Sequence, residues 1–425
     1  MTEKVIAAGL VLPNLARSVA EEHIEELSQL IKTAGGEVVT TMLAKRPAPD
    51  PATFIGSGKA EELKRVAEEN RATLIVFDDD LSPAQVRNLE KVTGIKVIDR
   101  SALILDIFAG RARSREARTQ VELAQLEYTL PRLTRAWSHL ERQAGGIGTR
   151  GVGETQLELD RRIIRTRIAR LKDELEHIER TRHTQRKSRA AAFTVALVGY
   201  TNAGKSTLFN RLTRGGAAAM DKLFATLDAK TQRLAFDMPR ETVIVDTVGF
   251  IRKLPHHLVA SFRSTMEEAV AADLVLHVID SSHPQFEEQR DIGESVLADL
   301  GVDPSAILEV YNKDDLVGVG QALSLSGQGK NLSHTALSAL TGRGIEQLLE
   351  MIRDRELAGG EVMQLEIPHH ESRLAARLHE VAEVHEQSQG ELGTLFTAWV
   401  PHQFIHLFEM YAADAVHRRR RVSRA

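Results

Sequence analysis

Hydrophobic positions along the first 110 residues change period repeatedly. Short apolar, β-branched runs at Val5–Leu10, Glu37–Met42, Thr73–Phe77 and Lys96–Ile98 predict strands. Between them, apolar residues at helical spacing around Ala20–Lys32, Lys59–Asn70 and Pro83–Val92 predict amphipathic helices. Such alternation calls for a small, mostly parallel sheet. From Arg111 onward the strand signal disappears, and two long helical patterns, about Arg115–Glu141 and Gln156–Arg189, flank a glycine-rich stretch. In the second, Leu157, Ile164, Ile168, Leu171, Leu175 and Ile178 follow a 7-4-3-4-3 rhythm, the spacing of a coiled coil. A helix of that length reaches roughly 50 Å, and two of them joined by a short segment make an antiparallel hairpin. Strand and helix patterns return after Ala192, with strands at Phe193–Val198, Val243–Thr247, Asp273–Asp280 and Ile307–Tyr311. Beyond Gly359 the pattern reads βαβα: strands at Val362–Ile367 and Thr394–Val400, helices at about Glu371–Glu386 and Pro401–Val416.

The strand Phe193–Val198 runs into Gly199-Tyr200-Thr201-Asn202-Ala203-Gly204-Lys205-Ser206, followed by Thr207 and a helix with Leu208, Phe209 and Leu212 on one face. This G-x-x-x-x-G-K-S loop between a strand and a helix is a phosphate cradle, because glycines permit the tight turn that points successive N–H groups at an anion. Lys205 is expected to reach the β- and γ-phosphates, and the Ser206 hydroxyl to ligate Mg²⁺. Asp246-Thr247-Val248-Gly249 follows the next strand. Asp246 would hold Mg²⁺ through water, and the Gly249 N–H would sense the γ-phosphate. Between these motifs lies Leu223-Phe224-Ala225-Thr226-Leu227-Asp228. Thr226 is the candidate switch residue that closes on Mg²⁺ and the γ-phosphate, with Thr231 as its competitor. Lys205, Thr226 and Gly249 are thus the expected catalytic groups, and Ser206 and Thr226 the metal ligands.

Base choice follows from Asn312-Lys313-Asp314-Asp315, an N-K-x-D sequence after a strand. The Asp315 carboxylate can accept from both N1–H and N2–H of guanine, whereas adenine would leave it unpaired; such a site discriminates by ~10⁴-fold or more. Asn312 would tie the base loop to the phosphate loop, and Lys313 would pack over the base. In Ser338-Ala339-Leu340 the Ala339 N–H is expected to meet O6. Four motifs in this order, each after a strand, define a GTP site in a P-loop G domain. The expected fold is α/β and multidomain: an N-terminal α/β domain over 1–110, a helical hairpin over 111–191, the G domain over 192–359 and a small C-terminal α/β domain over 360–425. A second glycine–lysine stretch, Phe54-Ile55-Gly56-Ser57-Gly58-Lys59, lacks the four-residue gap and the following Ser or Thr. It reads as a helix-entry turn, with weak anion binding left open.

Charge alters the picture in one region. The 425-residue chain has a net charge of −4 and a 42% hydrophobic, 27% charged composition, ordinary for a globular protein. Over 111–189, however, Lys and Arg outnumber Asp and Glu by 19 to 11. The link Gly145–Gly153 has five glycines and is bracketed by Arg142, Arg150, Arg161 and Arg162. A connector that only reversed direction would need neither. RNA contact is the expectation: phosphates on the arginines, the glycine tip in a crevice too narrow for side chains. A second basic run, His417–Arg421, reads as a solvated tail or a further phosphate contact. There is no cysteine, which excludes disulfides and zinc–thiolate sites and fits a reducing cytosol. The 16 histidines show no metal-ligand spacing, and His256-His257 falls in the second switch region. Neither a signal peptide nor a run of ~18 apolar residues is evident.

The G domain resembles the translation-factor-class GTPases of the Obg–HflX group. The blocks GGIGTRGVGETQLELDRR (Gly145–Arg162) and DTVGFIRKLPHHLVASFRST (Asp246–Thr265) are similar specifically to HflX. That resemblance spans essentially the whole chain. It implies a cytoplasmic, monomeric, ribosome-associated GTPase that binds the large subunit and its rRNA and splits stalled ribosomes under stress, with the tip at Gly145–Gly153 entering the peptidyl-transferase region. Ras-type enzymes place a water-orienting glutamine directly after the D-x-x-G glycine. Phe250 stands there and can neither donate nor accept, so unassisted hydrolysis is expected at about 10⁻⁴–10⁻² s⁻¹. Asn202 occupies the position that in several related GTPases helps hold K⁺. Two alternatives stay open: a GTP-latched factor that silences large subunits, and an RNA-remodelling ATPase with a second nucleotide site in residues 1–110.

Overall fold

The computed structural model describes residues 2–135, 152–188, 192–213, 223–224, 226–236, 241–253, 263–317, 333–390 and 393–412. The calls on Arg142, Arg150, Gly145–Gly151, Ala225, His256-His257 and the tail His417–Arg421 lie outside them. The chain divides into two compact units. The first comprises Met1–Arg180 with Met220–Asp228 and Val248–Thr265; the second comprises Thr181–Ala219, Ala229–Thr247 and Met266–Ala425.

In the first unit β1 (Lys4–Val11), β2 (Glu37–Lys45), β3 (Leu74–Phe77) and β4 (Lys96–Asp99) form a parallel sheet in the order β2-β1-β3-β4. Val5 to Val11 are all buried, as expected of a parallel strand covered on both faces. The helices are α1 (Arg17–Ala34), α2 (Ser57–Asn70), α3 (Pro83–Thr93) and α4 (Arg100–Arg111). α3 starts on a capping box in which the Ser82 hydroxyl accepts from the Gln85 N–H and the Gln85 side chain accepts from the Ser82 N–H. Pro83 follows at its first position, where a missing N–H costs nothing. Gly56 starts α2 at φ 89°, so Phe54–Lys59 is a helix entry, as its spacing suggested.

α5 (Arg115–Thr129) is shorter than the apolar pattern predicted. The α-helix stops before Pro131, which has no N–H and disfavours helix at the preceding residue, and a 3₁₀ turn follows to Arg135. α6 (Val152–Ser188) runs for 37 residues. Arg115 meets Glu174 at 2.8 Å, Glu122 meets Arg167 at 2.7 Å and Glu127 meets Lys172 at 2.9 Å, so three ion pairs join α5 to α6. The coiled-coil stripe is the covered one: Leu171 is buried and Ile164, Ile168, Leu175 and Ile178 are half-buried, while Leu159 and Ile163 off the stripe are exposed.

The second unit is built on β5 (Phe193–Gly199), β6 (Lys230–Arg233), β7 (Thr242–Asp246), β8 (Leu274–Asp280), β9 (Ile307–Asn312) and β10 (Ser333–Ala336), in the order β10-β9-β8-β5-β7-β6. Only β6, at one edge, is antiparallel to its neighbour. Its helices are α7 (Lys205–Thr213), α8 (Arg263–Val270), α9 (Phe286–Asp299) and α10 (Ile345–Ala358). Leu208 and Leu212 of α7 and Leu348 and Ile352 of α10 bury against Val195, Leu197, Ile244 and Leu276. The C-terminal sheet has the order β11 (Gly360–Pro368), β13 (Gly393–Pro401), β12 (Glu383–Gln389) and is antiparallel throughout. α11 (Ser372–Val381) and α12 (His402–Phe408) complete this layer. The helix expected over Glu371–Glu386 therefore ends at Val381. Its last residues belong to β12, a mostly exposed edge strand whose polar sequence carries no alternation to betray it.

Candidate nucleotide site

The phosphate loop in the second unit is shaped by close backbone contacts. Gly199 ends β5 at φ 141°, and a Cβ there would sit 2.1 Å from the Val278 carbonyl oxygen. Gly204, at φ 95°, leaves room for the Asn312 amide, which a Cβ would meet at 2.1 Å. Asn202, between them, is exposed at φ 63°, while Tyr200, Thr201 and Ala203 are buried. Lys205 opens α7 with its side chain folded along the loop, donating to the carbonyls of Gly199 at 3.0 Å and Tyr200 at 2.8 Å. Burial pulls its pKa down to about 8, against the opposing pull of Asp246. The Ser206 hydroxyl donates to Asp246 Oδ2 at 2.9 Å, and Thr207 is half-buried behind it. Thr247 donates to the Leu197 carbonyl at 2.6 Å, locking the end of β7 to β5.

The base loops meet the phosphate loop through Asn312. Its Nδ2 donates to the Ala203 carbonyl at 2.8 Å, and its Oδ1 accepts from the Ala339 N–H at 2.9 Å. The expected O6 donor, Ala339, is thus already engaged inside the loop. Lys313, at φ 62°, donates to Asp280 Oδ2 at 2.7 Å. Asp314 is half of an ion pair with Arg343, which also donates to the Asp314 carbonyl at 2.8 Å. Asp315, the expected base reader, is exposed. Ser338 holds the Thr341 N–H at 3.1 Å, and Leu340 is 72% exposed. Motif spacing named Asn312, Lys313 and Asp315; it did not name Asp280, Arg211 or Arg343, whose partners lie 33, 128 and 29 residues away along the chain.

The remaining motif segments are held in the first unit. Phe224, at φ 54°, stacks edge-on against Phe108 of α4 with centroids 4.7 Å apart. Thr226 and Leu227 are buried. Asp228 accepts from the N–H groups of Arg113 at 3.1 Å and Ser114 at 3.2 Å, and from the Ser114 hydroxyl. The competitor Thr231 is an exposed residue of β6, in the second unit. After Val248 and Gly249, Phe250 and Ile251 are buried, and two cations follow. Arg252 donates to Glu26 at 2.9 Å; Lys253 donates to Asp78 at 2.7 Å and Asp79 at 2.5 Å. Arg100, 1% exposed, bridges Glu26 and Asp78 from α4. Burial depresses the Lys253 pKa, but the two carboxylates outweigh it and the net shift is upward. His23, beside this network, has its pKa lowered to about 4 by burial and then by Arg252.

The fold and these motifs define a P-loop GTPase. Family models match in three consecutive parts: a GTP-binding GTPase N-terminal region over 21–109, a GTP-binding GTPase middle region over 111–189, and a 50S ribosome-binding GTPase domain over 194–313. The chain is 47% identical to the GTPase HflX of Magnetococcus marinus, covering 92% of this chain and 90% of that one. It is 44% identical to the GTPase HflX of Escherichia coli, covering 88% of each. A crystal structure of a GTP-binding protein from Sulfolobus solfataricus in complex with GDP is similar at 26% identity and a TM-score of 0.44, covering 84% of this chain and 98% of that one. The chain belongs to the HflX family of GTPases. It binds and hydrolyses GTP, and its G domain is of the 50S ribosome-binding class. Among the described residues no helix is long and apolar enough to cross a membrane.

Proposed function

We infer that this protein is a GTP-driven factor that engages the large ribosomal subunit through the α5–α6 hairpin and separates stalled ribosomes under stress. The observation that carries this reading is the long basic helix α6. α6 is about 55 Å long at 1.5 Å per residue. Arg162, Arg165 and Arg170 are exposed on it, and it leads out of the glycine-rich segment Gly145–Gly153. Guanidinium groups on such a rod suit rRNA phosphates.

GTP would lie with its phosphates along Gly199–Thr207 and its base between Lys313, Asp315 and Ser338–Leu340. Mg²⁺ fits the neighbouring hydroxyl and carboxylate of Ser206 and Asp246, which are hard oxygen donors. When bound it would neutralise charge between the β- and γ-phosphates. Thr226, as the switch hydroxyl, and the Gly249 N–H, as a donor that senses the γ-phosphate, are the groups that the motifs assign to the first unit. Lys205 would exchange the carbonyls of Gly199 and Tyr200 for phosphate oxygens. Phe250 offers the attacking water no hydrogen bond, so activation would come from the ribosome or from K⁺ held beside Asn202; equal rates in matched Na⁺ and K⁺ buffers would remove the second source.

The test is multiple-turnover splitting of intact ribosomes, followed by light scattering with protein below stoichiometry. Replacing Gly145–Gly153 by a short polar linker should stop splitting and leave GTP affinity unchanged. Splitting at the original rate would overturn this reading, and strictly one-to-one action would favour a silencing factor.

A further inference from the structure

Lys313 stands in the left-handed region at φ 62°, which a residue with a side chain keeps only where its surroundings enforce it. The enforcement comes from the end of β8, which pairs with β9 so that Asp280 lies beside Asn312. The Ser281 N–H and hydroxyl both donate to the Asn312 carbonyl, at 3.0 and 2.7 Å, and fix the peptide that leads into Lys313. Asp280 then divides its two oxygens. Oδ1 accepts from the Ser282 N–H at 3.0 Å and the Ser282 hydroxyl at 2.6 Å, which holds the carboxylate plane still. Oδ2 receives the Lys313 ammonium at 2.7 Å. Both side chains are sheltered, at 11% exposure for Asp280 and 26% for Lys313, so water screens this pair less than it would a surface pair.

A lysine tip held at one point fixes the course of the four methylenes behind it. Ordering them before a ligand arrives removes an entropic cost from binding. A paired ammonium is also withheld from the phosphates, which leaves those to Lys205. We propose that Asp280 is a positioning residue for GTP binding. By holding the Lys313 ammonium against the end of β8, it keeps the lysine stem laid out as the apolar wall on which the base packs, and so sets how long the nucleotide stays bound. The assignment rests on the guanine pocket described above and adds to it a residue that no motif of the sequence names.

Asp280→Asn separates the two duties of the carboxylate, since the amide oxygen can keep the Ser282 contacts while the charge facing Lys313 is lost. Stopped-flow release of a fluorescent GDP analogue from the full chain should be about tenfold faster in this variant, with the association rate within about twofold of wild type. Affinities for GDP and IDP should fall by the same factor, because the wall meets the face of the ring and not its edges. Affinity for pyrophosphate, which needs the phosphate loop alone, should keep its wild-type value. Lys313→Met keeps an apolar stem without the ammonium and should speed GDP release by a similar factor. The double variant should be no faster than the faster single variant, since both changes cut one link. GDP release at the wild-type rate in Asp280→Asn overturns the assignment. So do effects that multiply in the double variant, which make the two residues independent, and a parallel loss of pyrophosphate affinity, which marks damage to the whole site. Failure of the wild type to prefer GDP over ADP would instead defeat the guanine pocket itself.

Discussion

The two units hold their G-domain segments by different physics. In the second unit the phosphate and base loops are secured by hydrogen bonds in which backbone carbonyls do most of the accepting: Lys205 on Gly199 and Tyr200, Asn312 on Ala203, Arg211 on Ala339 and Leu340. In the first unit the segment after Gly249 is secured by charge, with Arg252 and Lys253 against Glu26, Asp78 and Asp79 around a buried Arg100. Lys205 and Arg211 rest on neutral carbonyls, whereas Lys313 and Arg343 of the base loops pair with Asp280 and Asp314. Paired carboxylates leave the cations of the first unit satisfied. Ligand charge should therefore reorganise the cations on carbonyls, while loss of a carboxylate should damage the paired ones.

The sharpest test is on the ligand side. Lys205→Ala should reduce GTP affinity by at least about 100-fold, since a charge-assisted bond to phosphate is among the strongest a side chain makes. Fluorescent-nucleotide titration checks this, and GTP hydrolysis should vanish with it. ATP turnover surviving in that variant would instead point to a second nucleotide site in residues 1–110.

Stability should respond in the other unit. Asp78→Ala takes one of the two carboxylates from the buried Arg100, together with one partner of Lys253, and should cost about 3 kcal/mol in urea unfolding. Asp79→Ala removes only one ion pair of a partly exposed side chain and should cost about 1 kcal/mol or less. Equal losses would mean that the buried geometry is not what matters.

Acid should act on both units alike. His23 in the first and His277 in the second have pKa values lowered to about 4, in each case chiefly by burial. Both are neutral when folded, while the unfolded chain takes up protons below pH 6.5. Stability from these groups is then complete above pH 6.5 and falls as pH drops toward 4, below which it levels. His277→Leu should flatten that slope in unfolding midpoints measured from pH 7 to 4.5. The smallest effect lies in the C-terminal layer. There Trp399 and His402 donate to the carbonyls of Leu357 and Gly359 at the end of α10, and Trp399→Phe should cost about 1 kcal/mol.

Much of this was legible in one dimension because the chemistry is local. A phosphate loop needs its glycines and lysine within eight residues of backbone, and Asp246, Asn312 and Asp315 each follow directly from a strand end that positions them. The hairpin stripe from Ile164 to Ile178 was legible for a similar reason: burial on a helix repeats with the helix. β12 was not, since an exposed edge strand such as Glu383–Gln389 has no buried face to imprint. Ala339 was assigned the O6 contact by motif, yet whether its N–H is available depends on Asn312, a residue 27 positions away.

What the amino-acid order determined alone is the class of chemistry: a guanine nucleotide, its phosphates, and a basic helical arm. Short-range backbone geometry suffices for that. Which carbonyls Arg211 reaches, which carboxylates receive Arg252 and Lys253, and which face Phe224 covers were decided only by the folded chain. Those partners are brought together by packing over separations of 100 residues or more, and no periodicity along the chain records a meeting of that kind.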